Sequence, residues 1–464
     1  MERKRNLTFR ESLSITSMLF GMFFGAGNLI FPAKMGQQAG SSLWLAMAGM
    51  FITGVGLPLL GVAALGISRS DGLQSLSSRV GKRYGYFFTC LLYLTIGPFF
   101  AIPRCANVPF TVGVAPLLAP EASHTLPLAI FTLVFFAAVL FFSLRPSRIM
   151  TWIGNILNPI FLVLLGVLVV RALISPLGAV QDMAPLGGYK DKSPFLAGFL
   201  EGYGTMDALA GLAFGIVVVE VIRRQGVNEP GDVARNTVFS GIFSCVLMGV
   251  IYLFISIVCA QSRALHPEEC KNGGEMLALV ANHYFGKGGA LMLAAIITFA
   301  CLKTAVGLIT SCSETFSHMF PKGPGYTVWA VSLSLFALLV SNLGLDAIIA
   351  YSVPMLMFLY PLAITLVLLA LLGRFFRNDR AVYAWVTAFT LPAAVLDFVA
   401  ELPENAMALL HVQGVLDSVK RWLPLFAMGL GWVCPAAIGL VVGLAVSFKR
   451  RHDRRLPDKA KIGA

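Results

Sequence analysis

The chain has 464 residues, of which 57% are hydrophobic and 12% are charged. Soluble domains usually carry about 25% charged residues, so this chain has too few polar side chains to cover a surface in water. Its mean hydropathy is +0.79 and its net charge is +12. The composition excludes a water-soluble enzyme, a disordered protein and a small disulfide-bonded scaffold. It predicts a polytopic membrane protein.

Apolar stretches of the length of a membrane helix, about 20 residues, recur along the whole chain. They predict twelve spans, at 12–34, 42–67, 85–109, 126–144, 149–173, 195–222, 237–260, 288–316, 326–341, 344–372, 381–399 and 424–447. The first stretch has no cleavage-site pattern and is expected to be a retained helix. Lys and Arg accumulate at both ends of the chain, as expected for cytoplasmic segments. Both termini are therefore expected in the cytoplasm, and the net charge reflects topology rather than binding to nucleic acid.

Reactive side chains form no recognisable catalytic pattern. The eight cysteines contain no C-x-x-C pair, and the six histidines lie in loops or near span ends. Metalloprotease, nucleophile-elbow and phosphate-loop motifs are missing. We therefore expect no enzyme activity, no cofactor, no metal beyond a possible bound Na⁺ and no obligatory protein partner. An integral membrane enzyme would need a convergent His, Ser and Asp set, and a channel would need polar stripes along several spans.

The first span contains a cluster of glycines near its middle, in the run GMFFGAGNLIFP. Gly21, Gly25 and Gly27 are followed by Asn28, and glycine costs a helix interior about 0.5–1 kcal/mol relative to alanine. The run predicts an unwound break, which is tolerated at membrane depth only where it is buried in protein or lines a cavity. The alternative is close helix packing through the G-x-x-x-G of Gly21 and Gly25.

The sixth span carries a second glycine cluster, in EGYGTMDALAGLAFG, with Asp207 inside it. An acidic residue within a span indicates a functional site by default. Asp207 is alternatively a cap for the second half of a broken helix. Each break begins a set of five spans, and because five is odd the second set would enter the membrane from the opposite side, as in inverted repeats. The predicted organisation is a tail at 1–11, repeats at 12–174 and 195–373, two further helices at 381–447 and a basic tail at 448–464.

The eighth span, in FACLKTAVGLITSCSETF, places a polar wedge on one helix face. Lys303, Thr304 and Ser311 belong to this wedge, which we expect to face the interior of the bundle. Lys303 would be a buried ammonium. The alternatives are that Lys303 reaches a membrane interface, or that it is a structural lysine bonded to helix-end carbonyls.

Taken together, several runs resemble the branched-chain amino acid:cation symporters of bacteria, the LIVCS or BrnQ family. They are GAGNLIFPAKMGQQAG, GVGLPLLGVAALG, LYLTIGPFFAIPRCANVPFTVG, GYGTMDALAGLAFGIVVV, ACLKTAVGLITSCSE and VSNLGL. Their order covers the chain nearly from end to end. The resemblance implies an all-α fold of the LeuT type within the amino acid–polyamine–organocation superfamily, with five plus five inverted helices and two extra. It also implies a multi-pass protein of the bacterial inner membrane, in contact with lipid, that imports Leu, Ile and Val together with Na⁺ or H⁺.

The same resemblance assigns roles to individual residues. Substrate is expected to contact the two helix breaks, a tyrosine of the third span and an apolar pocket: Gly25, Ala26, Gly27, Asn28, Tyr93, Gly204, Thr205, Met206, Asp207 and Phe214. The cation site is expected to use carbonyls before the first break and hydroxyls of the eighth span: Gly21, Phe24, Thr304 and Ser311. Lys303 is added as a coupling residue because it is a charged group predicted inside the same span, and not because of the resemblance.

Two points stay open at the level of sequence. Adding or removing one methylene changes affinity by only ~1–3 kcal/mol, so Val, Leu and Ile are expected to share the site. A carrier of other small neutral amino acids is the alternative. A sodium ion beside the Lys303 ammonium would be repelled, and the hypothesis is that the amine takes the place of sodium. Arg104 is expected to anchor at the membrane interface or to form an outer gate with Glu201.

Overall fold

The computed structural model describes residues 7–455 apart from 69, 116–117, 119–123, 149, 192, 266, 268–269, 271, 404–406, 408–413, 415, 417 and 420–422. The expected tail at 1–11 and the basic tail at 448–464 therefore fall partly outside the described residues. Within the described part, all regular structure is helical. This agrees with the predicted all-α class.

The α-helices follow one another along the whole described chain. They are α1 (Phe9–Phe23), α2 (Ala26–Ala39), α3 (Leu43–Phe51), α4 (Leu57–Ile67), α5 (Leu73–Ser77), α6 (Lys82–Leu94), α7 (Ala101–Pro109), α8 (Thr125–Ser143), α9 (Asn158–Ile174), α10 (Gly188–Asp191), α11 (Pro194–Glu201), α12 (Asp207–Arg224), α13 (Pro230–Ser262), α14 (Gly273–Phe285), α15 (Lys287–Met319), α16 (Tyr326–Ser341), α17 (Leu345–Leu372), α18 (Arg380–Ala400) and α19 (Val433–Arg455). Four π-helical segments lie between or next to α-helices: Ile52–Gly56, Thr95–Phe99, Phe110–Val114 and Met150–Leu157.

Ten helical stretches of the described residues are long and apolar enough to cross a membrane. They are Ala26–Ile67, Lys82–Val114, Thr125–Ser143, Thr151–Ile174, Pro194–Arg224, Pro230–Ser262, Gly288–Met319, Leu345–Leu372, Arg380–Ala400 and Val433–Arg450. The count differs from the twelve predicted spans for two physical reasons. The first predicted span is broken at Phe24–Gly25, so its second half continues into the next stretch, and α16 is a shorter apolar helix.

Each broken helix has a local cause in the sequence. Thr8 caps α1 through a capping box with Glu11, and α1 ends where the Phe24 N–H donates to the Phe20 carbonyl at 2.8 Å. Gly25 is the N-cap of α2. In the second break, α11 ends in the 3₁₀ turn Gly202–Thr205, and Met206 adopts a left-handed conformation with φ 64° before α12 begins.

Two compact units can be distinguished, and the larger contains both breaks. It comprises Met1–Gly72 and Leu91–Ser352. Glycines allow its helices to approach closely: a Cβ on Gly36 of α2 would lie 2.2 Å from the Ser256 carbonyl oxygen of α13, and one on Gly198 of α11 would lie 2.0 Å from the Ala46 carbonyl oxygen of α3. Any larger side chain would push these backbones apart.

The second unit comprises Leu73–Cys90 and Val353–Ala464. Its α18 begins at the N-cap Asp379, whose side chain accepts from the Ala381 N–H at 2.9 Å and from the Ser447 hydroxyl of α19. Glycines of α19 again allow close packing, since a Cβ on Gly443 would lie 2.9 Å from Val382 Cα.

Large apolar side chains remain exposed on the outer faces of several helices. Leu126 of α8, Val163 of α9 and Val246 of α13 are each more than half exposed. Exposed apolar side chains on several long apolar helices are what helices that cross a membrane are expected to carry on their outer faces. The chain is therefore a multi-pass membrane protein.

Candidate functional site

The two helix breaks meet at one cavity inside the larger unit. Predicted site residues from both breaks and from the eighth span line it: Gly25, Ala26, Gly27, Asn28, Thr205, Met206, Asp207, Phe214 and Thr304. Ile96, Ala101, Arg104 and Cys105 of the third span complete one wall. Residues more than 170 positions apart in sequence thus surround the same space.

Asn28 joins the first break to the second. Its Oδ1 accepts from the Gly25 N–H at 2.8 Å, which leaves its amide nitrogen to act as a donor. That nitrogen donates to Asp207 Oδ2 at 2.7 Å and also to the hydroxyl oxygen of Tyr252. A single buried side chain therefore closes the turn of α2 and holds the start of α12.

Asp207 lies at the first residue of α12 and is 1% exposed. Besides Asn28, the Tyr252 hydroxyl of α13 donates to its Oδ2 at 2.6 Å. Thr205 reinforces the same turn, since its hydroxyl donates to the Gly202 carbonyl at 2.9 Å. Met206 rather than Asp207 is the N-cap of α12, so Asp207 does not fill the expected capping role, although a carboxylate in the first turn of a helix is favoured by the helix dipole.

Arg104 of α7 is the other charged residue that lines the cavity. It is 4% exposed, and its Nη1 donates to the Gly204 carbonyl at 2.9 Å. Its guanidinium lies 5.4 Å from the centre of the Phe31 ring. The structure therefore does not place Arg104 at the membrane interface as an anchor. Glu201, the expected gate partner of Arg104, instead pairs with Lys34 at 3.5 Å.

The remainder of the cavity wall is apolar. Phe214 packs edge-on against Phe23 with ring centres 5.5 Å apart, and Met22 and Leu308 also contribute. Only about 20 Å³ is open to the centre of a water-sized sphere, which is room for about one water molecule. An amino acid side chain can enter only if the wall residues move apart.

Thr304 points its hydroxyl toward the first break. A Cβ on Gly25 would lie 2.7 Å from Thr304 Oγ1, and this buried oxygen has no hydrogen-bond partner. Buried polar atoms are normally satisfied. An unsatisfied oxygen facing an unwound backbone has the chemistry of a cation ligand.

Lys303 is fully buried next to Thr304. Its Nζ donates to Asn158 Oδ1 at 2.9 Å and lies 3.7 Å from the centre of the Phe161 ring. Asn158 in turn donates to the Ser17 hydroxyl at 2.8 Å. The alternative that Lys303 reaches a membrane interface is therefore wrong. Its partner is a side-chain amide rather than a helix-end carbonyl.

Gly21 and Phe24 lie close to Lys303 and its ring partner Phe161, but neither residue lines the cavity. A Cβ on Gly21 would be 3.5 Å from Lys303 Cδ, so the lysine stem passes the backbone one turn before the break. The Phe24 ring packs against Phe161 at 5.2 Å and Tyr252 at 6.1 Å.

Tyr93 and Ser311 lie next to each other at the Ala213 carbonyl of α12, outside the cavity lining. Both hydroxyls donate to the Ala213 carbonyl of α12 at 2.7 Å, and neither side chain lines the cavity. The geometry therefore gives no support to the expected contact of Tyr93 with substrate or of Ser311 with a cation. Gly204 also does not line the cavity, because its carbonyl is bonded to Arg104 and Phe31 covers its α-carbon.

Sequence reasoning did not place three polar residues at or next to the cavity: Arg104, which was expected at the membrane interface or in an outer gate, Tyr252 and Asn158. Arg104 carried a usable signal, because a lone arginine in an apolar stretch is expensive unless it is paired. Tyr252 and Asn158 carried none, since an amide or a phenol within a span is compatible with many helix contacts.

The chain matches the family model described as "Branched-chain amino acid transport protein" over residues 8–450. The chain belongs to this family. The predicted resemblance is confirmed, and since the family consists of transport proteins, the chain is a transporter and not an enzyme.

Relatives align over almost the whole chain. The branched-chain amino acid permease BrnQ of Lactobacillus delbrueckii subsp. lactis is 51% identical, with 94% of this chain and 96% of that protein covered. BrnQ of Bacillus subtilis is 42% identical, covering 93% and 96%, and BrnQ of Escherichia coli is 37% identical, covering 98% and 99%.

Solved structures of transporters share the fold. Mhp1, a nucleobase-cation-symport-1 family transporter, superposes with a TM-score of 0.59 at 14% identity, covering 97% of this chain and 95% of that one. MhsT in complex with L-phenylalanine gives a TM-score of 0.55 at 16% identity, covering 94% and 98%. Both neighbours have the LeuT-type fold, so the predicted fold is confirmed at this level.

Proposed function

We propose that this protein imports leucine, isoleucine and valine together with a cation by alternating access around the cavity between the two helix breaks. One observation carries the proposal: a buried cavity at two helix breaks has one acid, Asp207, and otherwise mainly apolar walls. The names of the BrnQ relatives support the substrate class. A lone acid between helix breaks is the arrangement expected of a carrier rather than a water-filled pore.

The polar part of the cavity suits the ammonium and carboxylate of an amino acid. Asp207 and the carbonyls of the unwound segments accept hydrogen bonds from an ammonium. The N-terminus of α2 at Ala26 and Gly27 presents backbone N–H groups to a carboxylate. Both charged ends of the substrate are thereby met by groups that already line the cavity.

The apolar part suits a branched aliphatic side chain. Burying a Val, Leu or Ile side chain contributes ~1.5–3 kcal/mol, and Phe214, Met206 and Ile96 lie where such a chain would pack. The cavity is too narrow for leucine in this packing. Substrate entry therefore requires residues of the cavity wall to move apart, as alternating access would allow.

A cation is proposed at the contact between α1 and α15. Thr304 supports this with its unpartnered hydroxyl, and the carbonyls near Gly21 and Phe24 are the expected co-ligands. Lys303 lies against the same backbone. Either a sodium ion beside Thr304 or the amine of Lys303 would fill the role, and no cofactor is proposed.

The proposed setting is the bacterial inner membrane, with twelve spans, both termini in the cytoplasm and two inverted five-helix repeats. The basic residues at both ends of the chain support this orientation. The odd number of spans from one break to the next supports the inversion.

The decisive experiment is competition uptake in proteoliposomes with all twenty amino acids. Radiolabelled leucine uptake is measured with a sodium gradient, a proton gradient or neither. We expect Leu, Ile and Val to compete and one of the two gradients to drive accumulation. If Leu, Ile and Val fail to compete while other small neutral amino acids do, the substrate proposal is wrong. Accumulation with neither gradient would contradict coupling.

A further inference from the structure

A groove on the surface of the larger unit combines one positive charge with apolar walls. It lies between the C-terminal end of α4 and the N-terminal part of α13, and about 340 Å³ of it is open to the centre of a water-sized sphere. The residues that line it are Ile67, Ala234, Arg235, Val238, Phe239 and Ile242. Arg235 is the only charged member of this set, so the groove has one polar end and a long apolar wall.

The charge of Arg235 is open to an external anion. Two arginines at the C-terminal end of α12 are already paired, Arg223 with Asp71 at 2.8 Å and Arg224 with Glu220 at 3.0 Å. Arg235 is exposed, and within the described part of the chain no carboxylate is at ion-pair distance from it. Excess positive charge therefore remains at this end of the groove.

Arg235 is also placed where α13 leaves the interior of a membrane. The helix has 33 residues, whereas about 20 residues are enough to cross the hydrocarbon core. A charge exposed to hydrocarbon is expensive, so Arg235, the sixth residue of α13, belongs at the level of the lipid headgroups.

An exposed apolar stripe follows Arg235 on the same helix face, at i+4, i+7, i+8 and i+11. Its members are each more than two-fifths exposed: Phe239, Ile242, Phe243 and Val246. From Arg235 to Val246 the helix rises by about 17 Å, which is close to half of the ~30 Å hydrocarbon core. The stripe thus has the length of an acyl chain in one leaflet.

We propose that this groove binds an anionic phospholipid, with the phosphate at Arg235 and an acyl chain along the apolar stripe of α13. The planar fork of a guanidinium matches the geometry of a phosphate, and a cation near the membrane surface attracts lipids of net negative charge. A zwitterionic lipid carries its own cation next to the phosphate and gains less from Arg235. The site is separate from the substrate cavity, and the inference does not depend on which substrate is carried.

The groove adjoins the helices that hold α12. A Cβ on Gly211 of α12 would lie 2.6 Å from the Pro58 carbonyl oxygen of α4, and Tyr252 of α13 donates to Asp207 at the start of α12. A lipid in the groove would therefore contact both helices against which the second half of the broken helix packs.

The test places a fluorescent reporter in the groove. Phe239→Trp is a conservative change at a half-exposed ring, and the fluorescence of the added tryptophan, taken as the difference from the unsubstituted protein, is quenched by lipids with brominated acyl chains. The full chain is reconstituted in phosphatidylcholine with increasing brominated phosphatidylglycerol or brominated phosphatidylcholine. We expect phosphatidylglycerol to be preferred by about fivefold, the effect of one arginine near the surface.

Charge variants are combined with the reporter. Arg235→Gln should reduce the preference toward one, whereas Arg235→Lys keeps the charge and should retain most of it. The matched control is Arg224→Gln, which removes an exposed arginine outside the groove lining and should leave the preference unchanged. Leu133→Trp, a reporter on the exposed face of α8, whose sequence has no charged residue, should show no preference.

Equal quenching by the two lipids in Phe239→Trp would overturn the inference, and so would a preference that survives Arg235→Gln. Soluble glycerol 3-phosphate at millimolar concentration should not reduce the quenching by phosphatidylglycerol. If it does, the groove takes a free phosphate ester and the lipid proposal is wrong. Because no transport is measured, these outcomes are independent of the proposed function.

Discussion

The side-chain amide of Asn28 donates a 2.7 Å hydrogen bond to the carboxylate of Asp207, across 179 positions of sequence. Asn28 belongs to the first turn of α2 and Asp207 to the first turn of α12, so this bond connects the starts of two half-helices. Tyr252 donates to the same oxygen from α13 at 2.6 Å. The two breaks consequently form one hydrogen-bonded unit and should move together.

The first prediction tests that unit. Asn28→Ala removes the bond to Asp207 and the bond that closes the Gly25 turn, and it leaves a buried carboxylate with one partner fewer. Hydrogen bonds to charged groups are worth ~1.5–3 kcal/mol, so we expect leucine uptake to fall by about ten- to hundredfold. Tyr252→Phe removes its own bonds and keeps the Gly25 turn, and should be milder. Initial uptake rates normalised to inserted protein measure both. Wild-type uptake by Asn28→Ala would contradict the coupling of the breaks.

Thr304 gives the second prediction. Thr304→Val is nearly isosteric and removes only the hydroxyl that faces Gly25 without a partner. We expect a much weaker dependence of leucine uptake on the coupling cation, whereas Thr304→Ser should preserve it. Thr310→Val is the matched control, because Thr310 is also buried with an unpartnered hydroxyl on α15 but does not line the cavity. An unchanged cation response in Thr304→Val would remove Thr304 from the cation site.

How far the sequence predicts the site can be judged from individual residues. The two breaks were predictable because clustered glycines cannot maintain a helix and Asp207 is expensive within a membrane. Tyr93 and Ser311 were expected at the site from resemblance, yet both bond the Ala213 carbonyl. Their direction depends on the rotation of two helices about their axes, which only tertiary packing sets. Arg104 was expected at the membrane interface but is buried. The residues that cover it, Phe31 and Gly204, are distant in sequence, so the sequence does not show this burial.

Tyr93 supplies the third prediction. The family resemblance implies that Tyr93 contacts the substrate, whereas the structure directs its hydroxyl to the Ala213 carbonyl. Because its hydroxyl donates to the Ala213 carbonyl rather than into the cavity, Tyr93→Phe should change the KM for leucine by less than about threefold, the loss of one neutral hydrogen bond being worth ~0.5–1.5 kcal/mol. Ser311 also donates to that carbonyl, so the acceptor stays satisfied. A rise in KM of more than about tenfold, with the protein still inserted, would place Tyr93 at the substrate.

The fourth prediction concerns Lys303. Lys303→Met keeps a chain of similar length and removes the amine that joins Asn158 and lies above the Phe161 ring. We expect gradient-driven accumulation of leucine to be lost while exchange of internal for external leucine continues, because exchange does not require the coupling step. Lys34→Met, which removes a partly exposed lysine of α2 paired with Glu201, is the control. Normal accumulation by Lys303→Met would exclude Lys303 from coupling.

Close helix packing gives the last prediction, which concerns stability. Gly36→Ala would place a Cβ 2.2 Å from the Ser256 carbonyl oxygen, and a backbone atom cannot move aside as a side-chain tip can. Overpacking of this kind costs about 1–3 kcal/mol, so the detergent-purified protein should unfold at a lower temperature. Gly166→Ala on α9 is the matched control, because nothing lies within 4 Å of the added Cβ. In a helix interior, alanine is also more stable than glycine by ~0.5–1 kcal/mol. Gly166→Ala should therefore be neutral or slightly stabilising, and equal unfolding temperatures for the two variants would contradict the tight contact between α2 and α13.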